Sequence, residues 1–154
     1  MQLRPATSED SRDVARIWAD GWRDGHLGHV PDELTAIRTP ESFAVRAAQR
    51  VGDTTVADVG GQVAGFVMVA QDEVEQVYVD AAHRGTGVAS ALLAEGERQV
   101  KAAGHAKAWL AVATGNARAR RFYEREGWVD EGAFDYPAAS AAGPIPVPCH
   151  RYAK

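Results

Sequence analysis

Val77-Tyr78-Val79-Asp80-Ala81-Ala82-His83-Arg84-Gly85-Thr86-Gly87-Val88-Ala89 carries the chain from a β-rich segment through a glycine turn into an apolar, helix-patterned stretch. A glycine-rich turn that feeds a helix presents free backbone N–H groups and the positive end of the helix dipole, and glycine lets an oxygen-rich anion approach closely. The stretch reads as a phosphate-binding device, with a plain strand-to-helix turn as the competing reading. Two familiar phosphate loops do not fit it. A Walker loop needs Lys-Ser or Lys-Thr after its last glycine, whereas Gly87 is followed by Val88-Ala89. The dinucleotide fingerprint would place Ser90 at its third glycine and would open a first βαβ unit, but here the turn follows a run of strands. Nucleotide hydrolysis and nicotinamide chemistry are both disfavoured.

Upstream of the turn the apolar period is two. Thr54 to Val59, Gln62 to Ala70 and residues 73–80 are rich in Val and aromatics and are separated by Gly60-Gly61 and Gln71-Asp72, which predicts an antiparallel meander. Further back, residues 3–7 read as a strand. Ser8 or Ser11 then caps a helix with Val14, Ile17 and Trp18 at helical spacing, ending near residues 21–25. Residues 27–31 are a turn-rich connection, and Thr39-Pro40-Glu41-Ser42 starts a second helix running to about Arg50. Downstream, residues 88–101 place Val88, Leu92 and Val100 on one helix face and pair Glu97 with Lys101 on another. Trp109 to Ala113 is a buried strand. A helix then runs from Asn116 to about Glu126, stopped by Gly127, and residues 128–134 and 146–152 give two last strands joined by a small-residue loop over 136–144. The expected fold is α/β (α+β): a mixed, mostly antiparallel sheet of six to seven strands, flanked by about four helices, in one domain over residues 1–154.

Arg84-Gly85-Thr86-Gly87-Val88-Ala89 resembles the pyrophosphate loop of the GNAT superfamily of acyl-CoA-dependent N-acyltransferases: Arg or Gln, two residues, Gly, one residue, then Gly or Ala. The family's second signature is matched by Asn116, Ala119, Phe122, Tyr123, Gly127 and Trp128, with only Trp128 departing, conservatively, from phenylalanine. The order of elements from Leu3 to Tyr152 is similar to the family's as well. The resemblance implies acetyl-CoA as co-substrate, its pyrophosphate held by the backbone of Arg84 to Ala89 and by the Arg84 side chain. It implies pantetheine pairing with the main chain of Val77 and Val79, with the Val79 N–H as donor to the thioester carbonyl, and further cofactor contacts from Asn116, Ala119, Phe122 and Tyr123. Dimers are frequent in the family, which leaves a homodimer open.

Amide formation from a thioester dictates the remaining roles. An alkyl ammonium with a pKa of about 10.4 must lose a proton before it attacks, so a base is required. Glu73 and Glu75 are the candidates, placed by alternation on one face of the strand that ends at the loop. Alignment with the family's frequent strand glutamate favours Glu73, with Glu75 or a water chain as alternatives and Glu75 also a substrate contact. The family commonly protonates the departing thiolate from the tyrosine matching Tyr123, and Asn116, Ala119 and Tyr123 share a helix face at i, i+3 and i+7; a packed tyrosine bonded to the backbone is the competing reading. Trp22 and His26, with His29, fall where the family lines its acceptor pocket.

Several functions are disfavoured. The net charge of -4 gives no broad basic face for nucleic acid, and Arg118, Arg120, Arg121 and Arg125 make one helix basic without making a nucleic-acid site. No metal is expected, because no third ligand joins the histidines. No apolar stretch is long enough to span a bilayer and residues 1–5 lack a signal-peptide core, so the expectation is a cytoplasmic protein. The single cysteine, Cys149, precludes an intrachain disulfide; beside His150 on a strand it points to the opposite face, so it reads as structural. The function expected is transfer of an acetyl group from acetyl-CoA to a primary amine of a small molecule or peptide by direct attack in a ternary complex. The alternative is an acetyl-CoA-binding sensor without turnover.

Overall fold

The computed structural model describes all 154 residues. In chain order they form β1 (Gln2–Pro5), α1 (Ser11–His26), α2 (Asp32–Ile37), α3 (Pro40–Gln49), β2 (Thr54–Val59), β3 (Gln62–Ala70) and β4 (Glu73–Val79). Then come α4 (Val88–Ala102), β5 (Trp109–Ala113), α5 (Ala117–Arg125), β6 (Val129–Ala138) and β7 (Ile145–Ala153). The strands make one seven-stranded sheet in the order β1-β2-β3-β4-β5-β7-β6. Every neighbouring pair is antiparallel except β4 and β5, which run parallel.

Local chemistry sets the helix starts. Arg4 on β1 holds the buried Asp10 through two hydrogen bonds of 2.9 and 3.0 Å, and Asp10 accepts from the Thr7 N–H at 2.7 Å, fixing the turn into α1. Thr39 Oγ1 accepts from the Ser42 N–H at 3.1 Å and Pro40 occupies the first helical position of α3, where its missing N–H costs nothing. Both expected meander turns are present, with Gly60, Gly61 and Gln71 in the positive-φ region that reverses the chain.

Two apolar layers sandwich the sheet. On one face Val14, Ile17, Trp18 and Trp22 of α1 and Phe43 of α3 pack on Val56 and Phe66, with the Trp18 ring 5.4 Å from Phe43 and 5.9 Å from Phe66. On the other, Val88, Leu92, Leu93 and Val100 of α4 pack on Val67 and Val74, with Trp128 and Tyr152 in the same layer. The Glu97–Lys101 pair forms at 3.0 Å on the outer face of α4.

The structure departs from the sequence reading in several places. Neither Ser8 nor Ser11 caps α1, which starts at Ser11 after Asp10. A fifth helix, α2, lies in what reads as loop; it has only six residues, too few for a period, and is anchored by the buried Leu34. Residues 136–138 belong to β6 and not to a loop, because Tyr136, Pro137 and Ala138 pair with Val147, Pro146 and Ile145. Proline is tolerated there because β6 is an edge strand.

Gly65 sits where α4 approaches β3: a Cβ would lie 2.7 Å from the Tyr78 carbonyl oxygen and 2.9 Å from Leu92 Cδ1. Gly65→Ala is expected to lower unfolding free energy by about 1–3 kcal/mol in urea denaturation. Gly52→Ala, which meets open space, stays within about 0.5 kcal/mol of the parent; equal effects of the two would contradict this packing.

Candidate active site

The site begins where the sheet comes apart. Between β4 and β5 the only registered pair is Glu73 with Trp109. Asp72 fixes this root twice, accepting the Trp109 N–H at 3.1 Å through its carbonyl and the indole Nε1–H at 3.0 Å through its carboxylate. Beyond it β4 continues to Val79 and β5 to Ala113 without pairing, so the strands diverge. On its other edge β4 stays bonded to β3. Asp80 donates to the Ala64 carbonyl at 2.8 Å, and in the alternating ladder Val77 and Val79 therefore turn their N–H and C=O groups toward the gap.

The β3–β4 register slips by one residue between Met68–Gln76 and Val69–Val74, leaving Glu75 as an extra residue on β4. Val74 packs on the α4 side together with Val77 and Val79, which strict alternation forbids. Glu73 and Glu75 both line the cavity and alternate with Val74; what the bulge changes is their relation to Val77 and Val79, which it moves to the side of Val74.

A cavity of about 750 Å³ fills the gap and runs from the glycine loop to Glu73. At the loop end Gly85 and Gly87 have φ of 74 and 86, a region that a side chain strains, and a Cβ at either would meet nothing within 4 Å. Gly87 precedes α4 without a side-chain cap, and the first intrahelical bond is Ala91 N–H to the Gly87 carbonyl at 3.1 Å. The N–H groups of Val88, Ala89 and Ser90 thus have no partner in the protein and sit at the positive end of a 15-residue helix. This geometry suits an oxyanion. Thr86 donates its hydroxyl to the His83 carbonyl, bracing the loop. Arg84 bonds Asp24 of α1 at 2.7 Å.

The C-terminal end of α1 lies across the opening. A Cβ at Gly21 would overlap the Tyr78 ring at 2.3 Å, one at Gly25 would stand 2.8 Å from Asn116 Nδ2, and the His29 ring lies close enough to fill the space beside Gly115. Asn116 caps α5, its Oδ1 accepting the Ala119 N–H at 3.2 Å, which leaves its amide nitrogen free of that bond. Ala119, Phe122 and Tyr123 line the cavity from α5.

Burial tunes the titratable groups. Glu73 is pushed up to about 7 by burial, opposed by a 2.7 Å hydrogen bond from the Tyr136 hydroxyl that favours the carboxylate. Glu75 is held by a two-point ion pair with Arg50 at 2.7 and 3.2 Å. Tyr123, its ring 5.4 Å from Phe122 and 6.0 Å from Tyr152, makes no side-chain hydrogen bond. Burial pushes it up to about 12, so the phenol stays protonated. Tyr78 is likewise raised by burial, with Tyr123 as a neighbour. His26 stacks on Trp22 at 4.8 Å and donates from Nδ1 to the Trp22 carbonyl at 2.9 Å, a bond that requires the proton on Nδ1. Burial lowers it to about 4, leaving a neutral ring with Nε2 as acceptor.

Trp22 and His26 line the cavity; His29 does not. Burial holds the Cys149 thiol up at about 11, and His150 turns away to Asp130 at 2.9 Å, so the adjacent pair makes no nucleophilic couple. Tyr136, Arg38 and Arg46 also line the cavity and escape the sequence reading. Tyr136 stands in what reads as loop because Pro137 follows it; nothing in the local sequence distinguishes the two arginines. No group of three or more His, Cys, Asp or Glu side chains is arranged to hold a metal, and no helix is long and apolar enough to cross a membrane.

No curated protein matches this chain. Among solved structures, a GCN5-related N-acetyltransferase from Rhodopseudomonas palustris superposes with a TM-score of 0.75 at 21% identity, covering 99% of this chain and 94% of the other. A ribosomal-protein-alanine N-acetyltransferase from Brucella melitensis superposes with a TM-score of 0.73 at 21% identity, covering 100% and 99%. The protein yncA from Salmonella typhimurium, solved with its cofactor acetyl-CoA, gives 0.71 at 17% identity over 100% and 92%. These likenesses establish the fold. The model of the Acetyltransferase (GNAT) family matches residues 12–128, which contain both the glycine loop and the Asn116–Trp128 signature, and the chain belongs to that family.

Proposed function

We propose that the protein is an N-acetyltransferase that moves an acetyl group from acetyl-CoA to a primary amine by direct attack within a ternary complex. One observation carries the reading: a single cavity joins an uncapped helix N-terminus and an unpaired strand edge to a free phenol, Tyr123, and a carboxyl group poised near neutrality, Glu73. The backbone of Gly85 to Ala89 would hold the pyrophosphate, with Arg84 able to exchange its bond to Asp24 for a phosphate oxygen. Val77, Val79, Asn116, Ala119 and Phe122 would flank the pantetheine. When bound, acetyl-CoA supplies an acetyl group activated as a thioester.

Glu73 takes the proton from the acceptor ammonium. At a pKa of about 7 it is partly ionised at neutral pH, and as a base it is a better match to an ammonium than an ordinary carboxylate. The Val79 N–H, turned into the gap, stabilises charge that develops on the carbonyl oxygen. Tyr123 gives its proton to the departing thiolate and regains one from the second proton that the attacking nitrogen loses as the amide forms, a cycle that starts from a phenol kept neutral by burial. Cys149 takes no part, since its thiol is not ionised at neutral pH. A sensor without turnover would have no use for an unbonded phenol and an elevated glutamate lining one cavity. The buried lone thiol supports a reducing, cytoplasmic setting.

The direct test is thiol release from acetyl-CoA across a panel of amines, and an acetyl-CoA-binding protein that turns over none of them would contradict the proposal. Tyr123→Phe is expected to lower kcat by about 10²–10⁴-fold while the acetyl-CoA affinity, measured by calorimetry, changes little; unaltered turnover would remove the phenol from the mechanism. The pH dependence follows from the ionised form of Glu73 being active, so kcat/KM falls as pH drops through about 7. Tyr136→Phe removes a bond to the carboxylate, raises the Glu73 pKa further and moves this acidic limb upward. Glu73→Gln abolishes the limb. A limb unchanged in both variants would assign the base elsewhere.

A further inference from the structure

The far end of the cavity from the glycine loop is enclosed by α1, by the α2–α3 turn and by the end of β6, and its charges do not balance. Arg50 is neutralised by Glu75 and by Asp53 at 2.9 Å. Glu73 is engaged by Tyr136. Arg38 and Arg46 have no carboxylate partner. Arg38, just past α2, donates only to the Ala139 carbonyl, at 2.6 Å. Arg46 of α3 makes no hydrogen bond or ion pair; its guanidinium lies over the Trp18 ring, 4.3 Å from the centroid, and 5.8 Å from that of Phe43.

A guanidinium stays charged in a protein, and one drawn out of water without a hydrogen-bonding partner costs free energy that a ligand can recover. Burial lowers Arg46 to about 10 and leaves it cationic at neutral pH, with Arg38 adding like-charge repulsion and Glu75, already bonded to Arg50, partly offsetting it. Contact with the Trp18 face anchors the Arg46 guanidinium, whose N–H groups have no protein partner and can serve an anion. The chain as a whole carries a net charge of -4, so two unmatched cations lining one cavity are a local feature and not a property of the surface.

The CoA phosphates are not the natural partners of these arginines. Arg46 is influenced by Arg38, by the Arg50–Glu75 pair and by Tyr78 near the loop end of β4, while Arg38 is bonded to Ala139, three residues past the Tyr136 that bonds Glu73, so the pair lies toward the Glu73 end of the cavity. The glycine loop begins beyond the strand's end, about 13 Å from Glu75 along β4 alone. The arginines therefore face the acceptor. His26 beside them, with its proton fixed on Nδ1 by Trp22, offers only a neutral acceptor nitrogen, which suits an ammonium or hydroxyl and not a second anion.

Resting on the acetyltransferase reading above, we infer that the acceptor is a small amine that carries its own oxyanion, with Arg38 and Arg46 binding the anion while Glu73 receives the amine. An amino carboxylate or an aminophosphonate meets this requirement. A polyamine does not, since it would bring further positive charge against two unpaired guanidinium groups, and neither does an internal lysine of a protein.

The test measures thiol release with free amino acids, with the C-terminal amides of the same amino acids, with 1-aminoalkylphosphonates and with spermidine, while acetyl-CoA binding is followed separately by calorimetry. At least one free amino acid or aminophosphonate is expected to exceed its uncharged amide by about tenfold or more in kcat/KM, and the ratio between the two acids identifies the oxyanion. In Arg46→Gln and in Arg38→Gln that preference collapses toward unity with acetyl-CoA affinity retained, and Arg46→Lys restores part of it. Spermidine or an amide as the best acceptor, or a preference that survives both Gln variants, overturns the inference and leaves the acetyltransferase intact. Absence of acetyl-CoA binding in the parent protein removes the underlying reading as well.

Discussion

The structure depends on one constraint: β4 and β5 are joined at a single register position, Glu73 with Trp109, and nowhere beyond it. Asp72 holds the root with a backbone and a side-chain bond, so the strands leave it as a fixed wedge. Parallel neighbours ordinarily satisfy each other's N–H and C=O groups. Here the N–H and C=O groups of Val77 and Val79 are left facing a cavity. The same divergence ends β4 at the glycine loop, where α4 starts with three N–H groups free. The two features proposed to hold the cofactor, an unpaired strand edge and an uncapped helix start, thus stand together where the ladder is interrupted.

Burial then divides labour among groups that would otherwise behave alike in water. The same loss of solvent raises Glu73 to about 7 and raises Tyr123 to about 12, so that the phenol stays protonated. It lowers His26, which its bond to Trp22 makes a fixed neutral acceptor. Beside these groups Arg50 holds Glu75 through a two-point contact. α1 completes the arrangement. Its small residues Gly21 and Gly25 let the helix close on Tyr78 and Asn116, and Asp24 ties it to Arg84, so one helix touches both arms of the wedge.

Much of this was legible in the sequence. The boundaries of β2 and β3 follow from period-two runs punctuated by Gly60-Gly61 and Gln71-Asp72, those of β5 from a short apolar run, and the start of α3 from Thr39-Pro40. The glycine loop and the α5 face were legible because their chemistry is local. What was not legible is register. Alternation predicts that Glu73, Glu75, Val77 and Val79 share a face, but the extra residue at Glu75 moves Val77 and Val79 to the α4 side with Val74, while both glutamates line the cavity. A bulge depends on the partner strand, and no period in β4 records it. Tyr136 and Arg46 were missed for a related reason: each is brought to Glu73 or Trp18 by tertiary packing across many residues, and α2 is too short to announce itself.

The most direct measurement is calorimetric titration of acetyl-CoA into the parent protein and into Gly87→Glu, with Gly87→Ala as the variant that shares the backbone strain without the charge. The account predicts one binding event per chain in the parent, its loss in Gly87→Glu, and a smaller weakening in Gly87→Ala. Absence of binding in the parent, or undiminished binding in Gly87→Glu, would contradict the assignment of the wedge and the α4 N-terminus as the cofactor site.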